Sequence, residues 1–206
     1  MGRLSDLHEA EAQHLQARAD AMQRIEPGVW ITPKPLAESK VAIVSTAGLH
    51  LRSDAPFTLG ALDYRVVPSD ADWGDVVLSH VSTNFDRSAF QQDPNISFPA
   101  ERLCEMADVG EIGGVSTWHY SFMGAMPAPQ LFEDTTGAVG ALSNFIERAG
   151  VACTSISLIR EQSEAVGPTR ALWVPFALGR PLGSAEDPEF QKRVMRDAFA
   201  LLVTAT

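Results

Sequence analysis

Three histidines in this sequence stand where catalytic or metal-binding side chains commonly lie. His50, His80 and His119 each occur at or just beyond the end of a run of apolar and β-branched residues, which predicts a β-strand. If these strands are parallel neighbours, their carboxyl ends meet at one rim of the sheet, where ligands bind in open α/β folds. Three imidazoles with a free fourth position are a known zinc-site composition, so they could hold a divalent transition metal. Their spacing matches no short metal motif, and hydrogen-bonded rim histidines are the alternative interpretation.

The densest group of polar side chains lies in residues 93–124, which combine a short predicted helix, a glycine-rich turn and the strand that carries His119. Asp93 could act as a general base or support a metal ligand, so it joins the three histidines as a catalytic candidate. Arg180 follows the last predicted strand, where it could reach an anionic ligand or simply be solvated. The candidate substrate-binding residues are Asn95, Tyr120, Ser121, Met123 and Arg180.

Four stretches of the chain resemble one family of enzymes. They read STAGLHL at 45–51, DPNISFPAERL at 93–103, EIGGVSTWHYSFMG at 111–124 and RALWVPFALGRPLG at 170–183. Together they are similar to the glycine/sarcosine/betaine reductase component B and D-proline reductase family, over roughly residues 38–203. The resemblance implies an oxidoreductase of amino-acid metabolism that acts on a small amine or amino-acid-like substrate, with a redox protein as a partner.

The redox pair of that family is missing from this chain. The resemblance implies a selenocysteine or cysteine followed three positions later by a cysteine, placed at a helix start that favours a reactive anion. The corresponding positions fall near Phe132 and Thr135. Cys104 and Cys153 stand at apolar-periodic positions, where a thiol is expected to be buried and inert. We therefore expect that the family's reaction cannot run here by its usual route, and that activity needs a partner thiol or a metal.

Composition excludes several classes of partner. The chain has 206 residues, a formal net charge of -10 and a sequence pI of about 4.9, so it lacks the clustered Lys and Arg that nucleic acid or an anionic membrane surface requires. Two cysteines do not form the dense pattern of a secreted disulfide scaffold. The first residues lack the apolar core of a signal peptide, and no run is long enough to span a bilayer. We expect a cytoplasmic protein with no nucleotide cofactor, because no Walker or dinucleotide fingerprint is present.

The order of predicted elements indicates an α/β fold with a mostly parallel sheet and helices on both faces, a Rossmann-like three-layer arrangement. Residues 38–206 are expected to form this single domain. Residues 1–37 are expected to form a helical arm, with its helix at 4–24, and a proline-rich connector. The narrow apolar stripe of the arm predicts a homo-oligomer contact. Strands are predicted at 40–47, 64–67, 76–79, 115–120, 151–158 and 171–176, helices from Pro99 and at 134–150, 159–165 and 187–203, and a functional loop at 81–94.

Three functions are compatible with these residues. The first is a relative of reductases that cleave carbon–heteroatom bonds, without its own redox pair. The second is a metal-dependent lyase or hydrolase built on the three histidines, which metal content lost in His50→Ala and His119→Ala would indicate. The third is a non-catalytic ligand-binding subunit that uses the same pocket. Only the first uses all of the resemblance.

Overall fold

The computed structural model describes residues 9–21, 28–58, 60–61, 63–81, 85–124 and 139–203. Its helices are α1 (Glu9–Ala21), α2 (Arg87–Gln92), α3 (Ala100–Asp108), α4 (Val139–Arg148), α5 (Arg160–Val166) and α6 (Pro188–Ala200). Its strands are β1 (Lys40–Val41), β2 (Val44–Ser45), β3 (Leu49–Leu51), β4 (Tyr64–Pro68), β5 (Val76–Leu78), β6 (Gly114–Val115), β7 (Trp118–Phe122), β8 (Ser155–Ser157) and β9 (Ala171–Trp173). Short 3₁₀ helices occupy Leu36–Glu38, Trp73–Asp75 and Pro94–Ile96. None of the helices in these ranges is long and apolar enough to cross a membrane.

Mixed helices and strands with parallel pairing confirm the predicted α/β class. β1 pairs with β6, β2 with β7 and β8 with β9, all in parallel. β4 lies antiparallel to β7, and β3 lies antiparallel to β5. In the described part of the chain these pairs form short separate ladders rather than one continuous sheet, and the widest ladder has the order β2-β7-β4.

The first parallel pair is interrupted by a change of register. Val41 lies opposite Val115 and Val44 lies opposite Tyr120, so three steps along one strand match five steps along the other. The two extra residues form a bulge between β6 and β7, and a bulge disrupts the hydrogen-bonded ladder beside it. The predicted strand at 40–47 is accordingly divided into β1 and β2.

A main part of the core lies where α3 meets α6. Leu103 and Met106 of α3 are almost fully buried, as the apolar spacing after Pro99 predicts, and they share one apolar cluster with Val194 and Met195 of α6. Pro99 is the N-cap of α3 rather than its first helical residue, one position from the prediction. Burying a large aliphatic side chain contributes about 1.5–3 kcal/mol, so this cluster is a substantial source of stability.

The predicted βαβ unit near the C-terminal end of the domain is confirmed, because α5 connects β8 to β9 and the two strands are parallel. Gly150 adopts a left-handed φ of 88° after α4, as expected for a residue that ends a helix. Asp187 caps α6 by accepting the Phe190 N–H at 3.0 Å, with Pro188 as the first helical residue. These local signals were therefore read correctly from the sequence.

Other elements differ from the prediction. Residues 49–51 form β3, an unpredicted strand that pairs with β5, because the chain turns at Gly48, whose φ is 68°. The predicted functional loop at 81–94 contains α2 and the start of a 3₁₀ helix, both capped by aspartate side chains. Residues 134–138, assigned to the start of a helix, lie outside the described residues.

The N-terminal arm is described at 9–21, where α1 lies against α5. The remaining parts of the helix predicted at 4–24 lie outside the described residues. A contact of this arm with a second subunit stays a prediction, as does the division of the chain into 1–37 and 38–206.

The connector after the arm is held by a buried ion pair. Arg170 and Glu147 form a salt bridge in which the side chains are 1% and 0% exposed. The Arg170 guanidinium also donates from Nη2 to the Ile31 carbonyl at 2.6 Å, and its Cζ lies 3.7 Å from the centre of the Trp30 ring. A desolvated cation is thus shared between a carboxylate, a carbonyl and an aromatic face. One side chain therefore fixes the connector on the domain.

Arg170→Met should destabilise the domain strongly. Removing one partner of a buried pair leaves the other charge uncompensated, which costs about 3–5 kcal/mol. The measurement is urea unfolding followed by circular dichroism. Arg160→Met is the matched control, because Arg160 pairs with Glu164 at 2.7 Å on an exposed face of α5 and its loss should leave the transition unchanged. Equal midpoints for the two variants would contradict this account of Arg170.

Candidate functional site

A cavity of about 390 Å³ lies between β1 and β2 on one side and β8 on the other. This volume falls within the range of small-molecule sites. Among the described residues that line it there is no Asp, Glu, Lys or Arg. Its polar groups are mainly hydroxyls, including those of Ser45, Thr46, Ser97, Ser143, Thr154 and Ser155. This uncharged cavity is the candidate site.

Of the four predicted catalytic residues, all of which the structure describes, only His80 borders the cavity. It lies at the carboxyl end of the β2–β7 pair, where a Cβ atom on Gly124 would stand 2.9 Å from Nε2 of the imidazole. Its ring stacks on Phe85 with centroids 4.1 Å apart. Burial, together with the positive charge of Arg87, lowers the pKa of His80 to about 4. The imidazole is therefore neutral near pH 7 and brings no charge into the cavity.

His119 makes a hydrogen bond to the backbone and does not border the cavity. Its Nδ1 accepts the Ile43 N–H at 3.0 Å, between β1 and β2, where the bulge interrupts the backbone ladder. A neutral imidazole that accepts at Nδ1 carries its proton on Nε2, and Nε2 has no hydrogen-bond partner in the described part of the chain. The ring is fully buried beside Phe98, and burial lowers its pKa to about 4. His119 is thus a neutral structural acceptor.

His50 is also committed to local hydrogen bonds. Its Nδ1 lies 2.7 Å from the Leu51 carbonyl, so this nitrogen must donate, and its Nε2 forms a hydrogen bond of 2.7 Å with the Ser79 hydroxyl. The ring packs edge-on against Phe57. His50 stands opposite Val77 on the antiparallel β3–β5 ladder, and it does not border the cavity.

The structure does not bring the three histidines together in one cavity. Sequence patterns gave their strand-end positions but not the antiparallel direction of β3, nor the packing of His119 against Phe98. The described residues contain no group of three or more His, Cys, Asp or Glu side chains that could hold a metal ion. Metal binding by His50, His80 and His119 stays a prediction, and this geometry adds no support for it.

Asp93 and Asn95 hold a loop and two helices together. Asp93 accepts hydrogen bonds from the Asn95 N–H at 2.9 Å, the Glu186 N–H at 3.0 Å and the Gln191 Nε2–H at 2.6 Å. The Asn95 side chain also donates to Asp93 at 3.1 Å. Burial opposes the charge of this carboxylate, but these four hydrogen bonds outweigh it and lower the pKa of Asp93. The Asn95 amide in turn donates to Glu101 of α3 at 2.8 Å. Neither Asp93 nor Asn95 borders the cavity.

The other predicted binding residues divide between cavity, core and surface. Met123 is buried and lines the cavity. Ser121 is buried away from it, and its hydroxyl accepts a backbone N–H of β3 at 2.7 Å. Tyr120 is 37% exposed on the other face of β7. Arg180 donates to the Asp86 carboxylate at 2.6 Å, so it ties a loop to the start of α2.

The cavity contains hydroxyl groups that the sequence analysis did not select. Ser97 Oγ and Thr154 Oγ1 are buried and have no hydrogen-bond partner among the described residues. An unpaired buried hydroxyl costs free energy, so each could bind a polar group that enters the cavity. Serine and threonine are too common in strands and loops for their positions alone to identify a site. No spacing signal would have revealed them.

The two thiols have raised pKa values, but Cys104 is not buried. It is exposed on α3, where partial burial and neighbouring carboxylates, first that of Asp108, raise its pKa. The prediction of a buried Cys104 was wrong, because the residue lies beside the apolar face of α3 rather than within it. Cys153 is half-buried at the cavity, and burial together with the charge of Glu147 raises its pKa to about 11. Neither thiol is poised to ionise near pH 7.

Comparison with known proteins identifies a relative over most of the chain. The chain is 27% identical to D-proline reductase subunit gamma of Acetoanaerobium sticklandii, and the alignment covers 86% of this chain and 84% of the relative. No family model matches the chain. No solved structure matches it. The likeness to the reductase subunit confirms the resemblance that the four sequence stretches indicate.

The folded chain should lose stability as the pH falls below the usual pKa of histidine. His80 and His119 have pKa values of about 4 when folded, against 6.5 for an exposed histidine. As the pH falls, the unfolded chain therefore binds protons before the folded chain does. The stabilisation is complete above about pH 6.5 and is lost as the pH falls from about 6.5 to about 4. Each histidine contributes about 2 kcal/mol to the difference in the free energy of unfolding between pH 7 and pH 5.

His119→Gln isolates one of these groups. Glutamine keeps an acceptor for the Ile43 N–H but cannot take up a proton, so the stability of this variant should fall less steeply with pH than that of the wild type. Urea midpoints measured near pH 7 and near pH 5 provide the comparison. Identical pH dependence in the two proteins would show that His119 is not the titrating group.

Both cysteines should react slowly with iodoacetamide near pH 7, because the thiolate is the reactive form and both pKa values are raised. Cys104 is exposed and should react faster than Cys153. Mass spectrometry of the digested protein measures both rates, and the Cys104→Ala and Cys153→Ala variants assign them. Rapid labelling of Cys153 near pH 7 is the result that this account does not allow.

Proposed function

We propose that this chain belongs with the components of the proline and glycine reductases. On that premise, it takes part in the reduction of a small amine or amino-acid-like substrate as one subunit of an assembly. The relative is itself named as a subunit of a reductase. The observation that carries the proposal is a cavity whose described wall combines the neutral imidazole of His80 with hydroxyl groups. Such a wall can orient a polar substrate by hydrogen bonds.

The electrons are proposed to come from another molecule. Reductive cleavage of a carbon–nitrogen bond consumes two electrons and two protons, which a pair of thiols supplies when it closes to a disulfide. Cys104 and Cys153 are far apart in the sequence, one on α3 and the other at the cavity, so they do not form the family's closely spaced pair. Their raised pKa values also disfavour nucleophilic attack on a substrate. The family's redox positions, near Phe132 and Thr135, lie outside the described residues. A dithiol of a partner redox protein is the proposed donor.

The substrate is proposed to bind at the His80 end of the cavity. The imidazole and the hydroxyls of Ser97 and Thr154 can exchange hydrogen bonds with an amine or a carboxylate. The described lining offers no charged side chain, and burial of an uncompensated charge is costly. A zwitterionic substrate should therefore bind weakly to the isolated chain. The partner subunit is proposed to complete the site.

A non-catalytic ligand-binding subunit is the second candidate, and one observation favours it. His50, His119 and Asp93 each make hydrogen bonds within the fold, and none of them borders the cavity. Such a chain could hold a ligand without transforming it. The metal-dependent lyase or hydrolase has no comparable support, since His50 and His119 make hydrogen bonds elsewhere in the described structure and only His80 borders the cavity.

Ligand binding should depend on the close packing around His80. A methyl group added at Gly124 would lie 2.7 Å from the Thr46 carbonyl oxygen and 2.9 Å from His80 Nε2, so Gly124→Ala must displace one of them. Gly74→Ala is the matched control, because its methyl group would meet the Asp72 side chain at 3.3 Å, away from the cavity. Saturation-transfer NMR with D-proline, glycine, sarcosine and betaine should show weak binding to the wild type and to Gly74→Ala. Affinity should fall about tenfold in Gly124→Ala.

Turnover assays separate the two candidates. With dithiothreitol as an artificial dithiol, the wild type and the Cys104→Ala, Cys153→Ala double variant should reduce the bound compound at the same rate. A rate abolished in the double variant would overturn the partner-dithiol part of the proposal. Binding without turnover would favour the non-catalytic subunit. Failure of all the tested compounds to bind would overturn the substrate class.

A further inference from the structure

A second cavity lies between α3 and the segment that runs from the end of β4 to Trp73. Its volume is about 300 Å³, and we call it the α3 groove. Its apolar base includes the almost fully buried Phe98, whose ring lies edge-on to the half-buried Trp73 with centroids 5.9 Å apart. Its lining comes from residues 67–73 and 98–108, and both of these runs lie entirely within the described ranges.

One wall of the α3 groove carries three carboxylates. Glu101, Glu105 and Asp108 line it at successive spacings of four and three residues, which place them on one face of α3. Among the described residues that line the groove there is no Lys, Arg or His. The candidate site, by contrast, has no charged side chain in its described lining. The two cavities therefore present different chemistry to a ligand.

Two of these carboxylates have cationic partners within the fold. Arg102 contacts both Glu101 and Glu105 at 3.0 Å, and Lys192 contacts Glu105 at 3.0 Å. Neither cation lines the groove. Asp108 is exposed, and in the described part of the chain no ion pair includes it. At least one carboxylate of the row is therefore available to a cation from outside.

Cys104 lies between the carboxylates and responds to their charge. Partial burial raises the pKa of its thiol, and the charges of Asp108, Glu101 and Glu105 raise it further. Since all three carboxylates act in the same direction on this thiol, the groove stays electrostatically negative despite the neighbouring cations.

An exposed aromatic ring stands beside the groove. Pro68 lines the groove and lies directly opposite Trp118 on the antiparallel β4–β7 ladder, so the two side chains share one face of the sheet. Trp118 is 50% exposed. Indole attracts cations more strongly than other aromatic side chains, and exposed Trp residues are enriched at protein interfaces. The aromatic ring and the carboxylates therefore favour the same class of ligand, a cation.

The length of the carboxylate row distinguishes between kinds of cation. Glu101 and Asp108 are seven residues apart, which is about 10 Å along the helix axis at a rise of about 1.5 Å per residue. One small cation cannot pair with carboxylates at both ends of such a row, whereas successive basic side chains of a peptide repeat over the same length. The aliphatic stems of Arg and Lys can also cover an apolar base while their charged ends reach the rim.

We infer that the α3 groove binds a basic segment of a partner protein, whose Arg or Lys side chains cover the apolar base and pair with the carboxylates of α3. The net charge of -10 would speed the encounter with such a partner. The inference goes beyond the proposed function, because it assigns a place of attachment that is separate from the substrate cavity at His80.

Binding of a basic peptide provides the first test. The probe is a helical alanine peptide with arginine at every fourth position and a neutral dye, and its fluorescence anisotropy is titrated with the full chain. Affinity should fall about fivefold in the Glu101→Gln, Asp108→Asn double variant, which loses two charges of the row. The Asp108→Asn single variant, which breaks no described ion pair, should show part of this loss.

The matched control is the Glu38→Gln, Glu164→Gln double variant. It removes the same two charges from exposed positions outside the groove and should bind the peptide like the wild type. Equal losses in the two double variants would indicate attraction by net charge alone and would overturn the inference. No binding of the peptide to the wild type would overturn it as well.

Alkylation of the cysteines locates the bound peptide. Cys104 lines the α3 groove, whereas Cys153 lines the candidate site. At alkaline pH, where arginine keeps its charge, saturating peptide should slow iodoacetamide labelling of Cys104 about tenfold and leave Cys153 unchanged. Trp118→Ala removes no charge and should also weaken binding. Peptide binding without protection of Cys104 would place the peptide elsewhere on the surface and overturn the inference.

Discussion

The register of the sheet depends on one imidazole. The Ile43 N–H lies between β1 and β2, where a bulge in the opposite strand interrupts the ladder, and His119 Nδ1 accepts it. A buried N–H without an acceptor costs about 1–3 kcal/mol, which is a large share of the stability of a domain. A slip of one residue would also exchange the buried Ser121 with the exposed Tyr120. The hydrogen bond therefore selects one register and one set of buried side chains.

The position of the cavity follows from the same pairing of β2 with β7. Because β7 pairs with β2 along one edge, the other edge of β2 is left to face β8. The cavity between them is uncharged in its described lining, although the chain has a net charge of -10. The net negative charge disfavours anionic partners, and the uncharged lining leaves hydrogen bonding and apolar contact as the means of recognition.

Local signals predicted local structure well. The cap at Asp187, the left-handed Gly150 and the apolar spacing of α3 depend on interactions within a few residues, and the sequence contains all of those residues. The candidate site was predicted less well, because it depends on strand direction and on which face a side chain takes. His50 lies on an antiparallel ladder, and Asp93 accepts hydrogen bonds from the distant Glu186 N–H and Gln191 side chain. Neither outcome could be read from spacing, since both depend on partners far away in the chain.

Arg170 connects two distant parts of the molecule. Besides holding Trp30 and the Ile31 carbonyl, its guanidinium donates from Nη1 to the Cys153 carbonyl at 3.4 Å, at the start of the run that borders the cavity. A ligand that displaced Trp30 would leave a buried cation to find new partners, and the Cys153 carbonyl is one of those already within reach. Thermodynamic linkage is reciprocal, so any effect of the connector on a ligand at Cys153 would be matched by an equal effect of that ligand on the connector. The connector and the cavity edge both contact this single charged side chain.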